Sequence, residues 1–229
     1  LSVEGTSRNL IQIFFSQDFI SRSAARQAEK HYPKPPAVLG IVGSGIMGSE
    51  LVKVAKAIAP DMQFRVKSTT AARAADFKSH YADDDKVQTS DDLAILADAD
   101  LVVEAIVEDT EQKQKMLAAI EKHVSDDCTI ATNTSSLELI KLGQEMRKPD
   151  RFVGLHFFYP VDKMQCVEVI SHPSSSAKSV AKAISLVTAM GKTPISVKDS
   201  AGFLVNRLLC THLLEAARLL DDGVPLNWI

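Results

Sequence analysis

Cysteine and excess charge of either sign are both scarce in this 229-residue chain, and each shortage removes a class of protein. The three cysteines, Cys128, Cys166 and Cys210, are odd in number and lack the paired spacing of a zinc site or a disulfide framework. They read as reduced, mostly buried thiols, and no metal site is expected. The formal net charge is only -3, and the basic residues are scattered rather than gathered on a stripe with interleaved aromatics, which argues against a nucleic-acid partner. No apolar run approaches the roughly 18 residues of a membrane span, and the first residues lack the basic-then-apolar order of a signal peptide. Membrane insertion is therefore not expected, and the cytoplasm or an organelle matrix is.

What is present suits a folded domain: 45% of residues are hydrophobic and 24% charged. The length allows more than one structural piece. The chain starts at Leu1 rather than Met and stops soon after a predicted final helix, so both ends read as cut. Over residues 1–36, Leu10, Ile11, Phe14, Phe15 and Phe19 recur at helical spacing, a charged stretch runs from Arg22 to Lys30, and Pro33, Pro35 and Pro36 follow. This reads as a helical linker.

The texture then changes. Ala37 to Val42 is a short continuous apolar run, suited to a strand buried on both faces, and a helix is expected from the following glycine turn to about Ala59. Further strands are predicted at Gln63–Val66, Leu101–Val107, Thr129–Thr132, Phe152–Phe158, Val167–Ile170 and Ile195–Val197. Helices are predicted at Asp91–Ala97, Glu111–His123, Ser136–Glu145, Ala177–Met190 and Phe203–Leu220. The alternation points to a doubly wound, mostly parallel α/β sheet over residues 37–198. No strand follows the last helix, so residues 199–229 are expected to begin a second, all-α domain.

Gly43-Ser44-Gly45-Ile46-Met47-Gly48 follows the first buried strand and opens a helix. In that setting one glycine permits the tight turn, the next lets the backbone approach a pyrophosphate, and the third lets helix and strand pack closely. The chain thus reads as a Rossmann-like dinucleotide-binding fold, with Gly43, Gly45, Ile46, Met47 and Gly48 against the cofactor. The end of the second strand, where an acidic residue would bond the ribose hydroxyls of NAD, reads Phe64-Arg65-Val66-Lys67-Ser68-Thr69-Thr70. With no carboxylate there, Lys67 with Ser68, Thr69 and Arg73 could meet the 2′-phosphate of NADP. A solvated basic loop is the alternative.

His156 closes a predicted strand, and Glu168 lies 12 residues on in the next one, so neighbouring strands can bring the two together. A carboxylate on one ring nitrogen fixes the tautomer and leaves the other nitrogen as a general base, which oxidation of a secondary alcohol requires. A packed core histidine is the competing reading.

Four segments, in order, resemble the 3-hydroxyacyl-CoA dehydrogenase family: Leu101 to Glu108; Asn133-Thr134-Ser135-Ser136-Leu137; Gly154-Leu155-His156-Phe157-Phe158-Tyr159-Pro160 with Val167 to Ile170; and Gly202 to Arg207. The resemblance implies oxidation of a (3S)-3-hydroxyacyl-CoA to a 3-oxoacyl-CoA in fatty acid β-oxidation, with NAD as cofactor and His156 as base. It also implies that Ser135 and Asn206 contact the substrate oxygen or the catalytic histidine, and that Glu108, Lys113 and Asn133 line the ribose and nicotinamide side of the cofactor. The opening helix resembles the connector to an enoyl-CoA hydratase domain in multifunctional proteins of this pathway, which implies an oligomer, with a thiolase subunit among its expected partners. The sequence departs from the family pattern at Tyr159, Glu50 and Ala201, and in the short stretch between Thr70 and Ser90, where the family has a longer helical excursion that helps grip CoA. Two alternatives follow: a dehydrogenase of a smaller 3-hydroxy acid, or a non-catalytic domain with weakened cofactor grip.

Overall fold

The computed structural model describes residues 34–229. The predicted linker helices before residue 34 lie outside the described residues. Eight strands form one sheet: β1 (Val38–Val42), β2 (Gln63–Lys67), β3 (Val87–Ser90), β4 (Leu101–Glu104), β5 (Thr129–Thr132), β6 (Phe152–Phe157), β7 (Cys166–Ser171) and β8 (Thr193–Lys198), in the order β3-β2-β1-β4-β5-β6-β7-β8. The first six run parallel; β7 turns back antiparallel to β6, and β8 runs parallel to β7. The helices are α1 (Ile46–Ile58), α2 (Ala71–Ser79), α3 (Thr110–Glu121), the single turn α4 (Leu139–Leu142), α5 (Ala177–Ala189) and α6 (Val205–Asp221). The expected mostly parallel, doubly wound sheet is what forms.

Both faces of the sheet are covered. Alternate strand residues point to opposite sides, so Leu39, Ile41, Leu101 and Val103 pack with α1, α2 and α5, whereas Val42, Val102 and Ile130 pack with α3 and α4. Burial on two faces is why the strands read as near-continuous apolar runs. Chain order reverses between β1 and β4, and at such a switch point the strand ends and the turns that follow them form a crevice. The glycine turn after β1 opens there.

Four elements differ most from the sequence reading. Strand β4 stops at Glu104 rather than Val107, because the Glu104 carboxylate accepts the Ile106 amide at 2.7 Å and turns the chain. The helix expected over Ser136–Glu145 is reduced to α4 and one 3₁₀ turn, with the Asp199 carboxylate, 60 residues downstream of Leu139, accepting the Leu139 and Ile140 amides. The helix expected at Asp91–Ala97 is a short 3₁₀ turn, Leu93–Leu96. Strand β3 was not anticipated. It pairs with β2 at the sheet edge through Val-Gln-Thr-Ser, of which Val87 alone is fully buried.

Helix α6 leaves the sheet and buries none of its residues, with Leu208, Leu209, Leu213 and Leu214 all exposed. Among the described residues no helix is long and apolar enough to cross a membrane.

Candidate active site

The glycine turn meets the steric demands that its spacing implies. Gly43 has φ +112°, and a side chain there would bring Cβ within 2.5 Å of the Ala105 carbonyl oxygen. A Cβ on Gly48 would lie 1.8 Å from the Gly43 carbonyl oxygen, so helix α1 approaches the turn only because that position has no side chain. A Cβ on Gly45, by contrast, would meet nothing within 4 Å. That open backbone, followed by a helix whose first turn carries no acidic residue, is a cradle suited to a pyrophosphate. Ile46 is 71% exposed and free to touch a ligand; Met47 beside it is half-buried and packs against the core. Glu50, one of the departures from the family pattern, is paired with Lys53 at 3.4 Å.

Beyond β4 and β5 lies a buried polar cluster. Lys113, expected to line the cofactor cleft, is 1% exposed, and its ammonium bonds Glu104 at 2.8 Å and approaches Glu108 at 3.4 Å. The second Glu104 oxygen accepts the Thr132 hydroxyl at 2.7 Å. An ammonium sealed from water needs such partners, so Lys113 holds the walls of the cleft rather than presenting its charge to it. Glu108 accepts the Thr134 hydroxyl at 2.5 Å and the Ser135 amide at 2.8 Å. Burial pushes the Glu108 carboxyl up, but those two bonds and the neighbouring Lys113 outweigh it and hold its pKa below the ordinary value. The loop Asn133–Ser136 is thereby fixed across the crevice. Asn133 spends its side-chain oxygen on the Phe157 amide, at 2.9 Å, tying the end of β5 to the end of β6.

Antiparallel pairing sets His156 directly opposite Glu168, and His156 Nδ1 lies 2.7 Å from Glu168 Oε2. Both are buried, at 4% and 0% exposure. Phe158 and Phe203 flank the imidazole, with ring centroids 4.4 and 5.7 Å away. An ionised carboxylate accepts, so Nδ1 carries the proton and Nε2 keeps its lone pair. The other Glu168 oxygen accepts the Leu204 and Val205 amides, at 2.8 and 2.9 Å, the free donors at the start of α6. Helix α6 therefore begins at Val205 rather than at Phe203, whose φ of +49° is unusual for a bulky residue and sits where the chain is bent toward the carboxylate. One turn into α6, Asn206 donates its side-chain amide to the Ser135 carbonyl oxygen at 2.9 Å. Ser135, Asn206, His156 and Glu168 are thus joined through α6 and the Asn133–Ser136 loop.

A family model described as the 3-hydroxyacyl-CoA dehydrogenase, NAD binding domain, matches residues 38–200. The chain belongs to this family. The alpha subunit of the fatty acid oxidation complex from Idiomarina loihiensis is 37% identical over 250 aligned residues, and that from Vibrio vulnificus is 33% identical over 247. Each alignment takes in 100% of this chain and 35% of the relative, so the chain spans about a third of the length of these relatives. Among solved structures, the (S)-3-hydroxybutyryl-CoA dehydrogenase from Ralstonia eutropha superposes with a TM-score of 0.76 at 31% identity, covering 83% of this chain and 73% of that one. The 3-hydroxybutyryl-CoA dehydrogenase from Escherichia coli superposes at 0.75 and 28%, covering 83% and 44%.

The matched family model is an NAD-binding domain, and the glycine cradle fits the pyrophosphate of such a dinucleotide. The ribose end of the cleft is a departure. Lys67, at the last position of β2, is half-buried and gives its carbonyl oxygen to the Gly43 amide at 2.9 Å. The Ser68 hydroxyl, counted among the phosphate donors on sequence grounds, is sealed from solvent without a hydrogen-bond partner, which takes it out of a ligand's reach.

Sequence reasoning passed over four residues that shape the site: Glu104, Thr132, Thr134 and Phe203. Glu104 had a signal, a carboxylate ending an apolar run that is buried on both faces. The other three had none, because their importance comes from partners distant in sequence.

Proposed function

We propose that the protein is a dehydrogenase that oxidises (3S)-3-hydroxyacyl-CoA thioesters to 3-oxoacyl-CoA thioesters. The observation that carries this reading is the buried His156–Glu168 pair on facing strands, which engages Nδ1 and leaves Nε2 as the base. His156 Nε2 takes the proton from the substrate hydroxyl as its C–O bond becomes C=O. Glu168 stabilises the imidazolium that results and keeps the ring in one orientation. The bound nicotinamide supplies the acceptor for the hydride leaving the carbinol carbon. Ser135 and Asn206, joined at the mouth of the same crevice, orient the substrate oxygen, and Asn133 and Glu108 shape the nicotinamide side.

The relatives are named as alpha subunits of fatty acid oxidation complexes. In the same reading this protein acts in that pathway, in the cytoplasm, as part of an oligomer with a thiolase subunit as partner, and residues 199–229 begin a helical domain that follows the dinucleotide-binding domain at 37–198.

The test compares wild type with His156→Gln on 3-hydroxybutyryl-CoA, with NADH affinity measured in parallel. The reading predicts a loss of roughly 10²–10⁴-fold in turnover with NADH affinity preserved. Oxidation within threefold of wild type would refute it.

A further inference from the structure

We propose that the ribose end of this cleft grips a 2′-phosphate, so that the protein binds NADP(H) at least as tightly as NAD(H). The inference rests on the dinucleotide-binding reading and adds which dinucleotide the pocket selects.

Strand register fixes the position of Lys67. Val42, the last residue of β1, is paired with Lys67, the last residue of β2, and Gly43 donates its amide to the Lys67 carbonyl oxygen at 2.9 Å. Lys67 therefore occupies the exit of β2 immediately beside the phosphate turn. In this fold a carboxylate at that exit accepts hydrogen bonds from the ribose hydroxyls, whereas a nearby cation accommodates a 2′-phosphate. An ammonium is a donor only and cannot play the carboxylate's part.

A second cation, on α2, borders the same glycine turn. Arg73, in its first turn, lines a cleft of about 410 Å³ together with Ser44 and Gly45 of the glycine turn. Among the described residues neither Lys67 nor Arg73 is held by a carboxylate, although Lys56 is matched with Asp84, Arg65 with Asp98 and Lys113 with Glu104. Of the acidic residues lining the cleft, Glu50 is engaged by Lys53, and Asp76 lies a turn further along α2 than Arg73. Thr69, exposed between Lys67 and Arg73, offers a hydroxyl. One cation lining the cleft, a second at the strand exit beside the glycine turn and an exposed hydroxyl between them in sequence suit a dianionic phosphate, which charge-assisted bonds hold strongly.

The experiment titrates the protein with NADH and with NADPH, following nicotinamide fluorescence, for wild type, Lys67→Asp and Arg73→Ala. The expected result is a Kd for NADPH equal to or below that for NADH. Lys67→Asp should weaken NADPH by on the order of tenfold or more while strengthening NADH, and Arg73→Ala, an exposed helix position that leaves the fold alone, should weaken NADPH selectively. Raising the salt concentration should narrow the difference between the cofactors. NADH binding tenfold or more tighter than NADPH would overturn this inference and leave the dehydrogenase reading intact. An NADPH preference untouched by both substitutions would overturn the assignment to Lys67 and Arg73. Binding of neither cofactor would overturn the dehydrogenase reading and this inference together.

Discussion

Replacing Glu168 by Gln removes one charge and almost no volume, and the structure specifies what must follow. The carboxylate serves three donors: His156 Nδ1 through one oxygen, and the Leu204 and Val205 amides through the other. A glutamine has one oxygen and one NH₂. If the oxygen stays on the two amides, the NH₂ faces the imidazole and forces Nδ1 to accept, so the proton moves to Nε2 and the base loses its lone pair. If the oxygen turns to the imidazole, the NH₂ confronts two backbone donors. In the milder case both helix-start bonds survive with a neutral acceptor, each weaker by about 1 kcal/mol, so about 2 kcal/mol of stability should be lost. The charge near the positive end of α6 is lost as well, which adds a few tenths to about 1 kcal/mol. Urea unfolding measures the stability, and nitrogen NMR of the imidazole measures the tautomer. Turnover should fall by roughly 10²–10⁴-fold. A variant that keeps its protonated Nδ1 and loses less than about 0.5 kcal/mol would show that Glu168 does not hold the ring or the helix as argued.

Lys113→Met should destabilise by about 3–5 kcal/mol, because the Glu104 carboxylate would be left buried without its cation; adding Glu104→Leu should recover part of that loss in the same denaturation assay. Glu108 has its pKa lowered in the folded protein, so its contribution is present above the ordinary carboxylate range and is lost as pH falls through the folded value. Acid titration of the unfolding midpoint should therefore show a shallower decline for Glu108→Gln than for wild type, and identical slopes would remove Glu108 from the loop's support. The glycines of the turn should separate fold from binding. Gly48→Ala, which places Cβ 1.8 Å from a carbonyl oxygen, should lower thermal stability by about 1–3 kcal/mol or more, whereas Gly45→Ala should leave it nearly unchanged and weaken NADH binding.

Much of the sheet is legible in the sequence alone, and for a physical reason: a strand buried on both faces is apolar at most of its positions, and β1, β4 and β6 stand out as such runs. The glycine turn was equally plain, since its residue types are demanded by contacts within a single strand–turn–helix unit. Legibility ended where ends of elements are set by distant side chains. Glu104 cuts β4 short, Asp199 fixes the start of α4, and Glu168 fixes the start of α6. Edge strand β3 escaped notice because it is short and mostly polar, and it exists by pairing with β2.

The sequence by itself determined the doubly wound sheet, the glycine cradle and the identity of the two residues that meet across β6 and β7. All three follow from local sterics, periodicity and strand adjacency. Only the tertiary structure decided that Lys113 is an internal strut rather than a cleft cation, that the Ser68 hydroxyl is sealed from solvent, and that Glu168 serves a helix as well as a histidine. Those outcomes depend on which buried polar groups find partners across tens of residues, and linear order does not encode that choice locally.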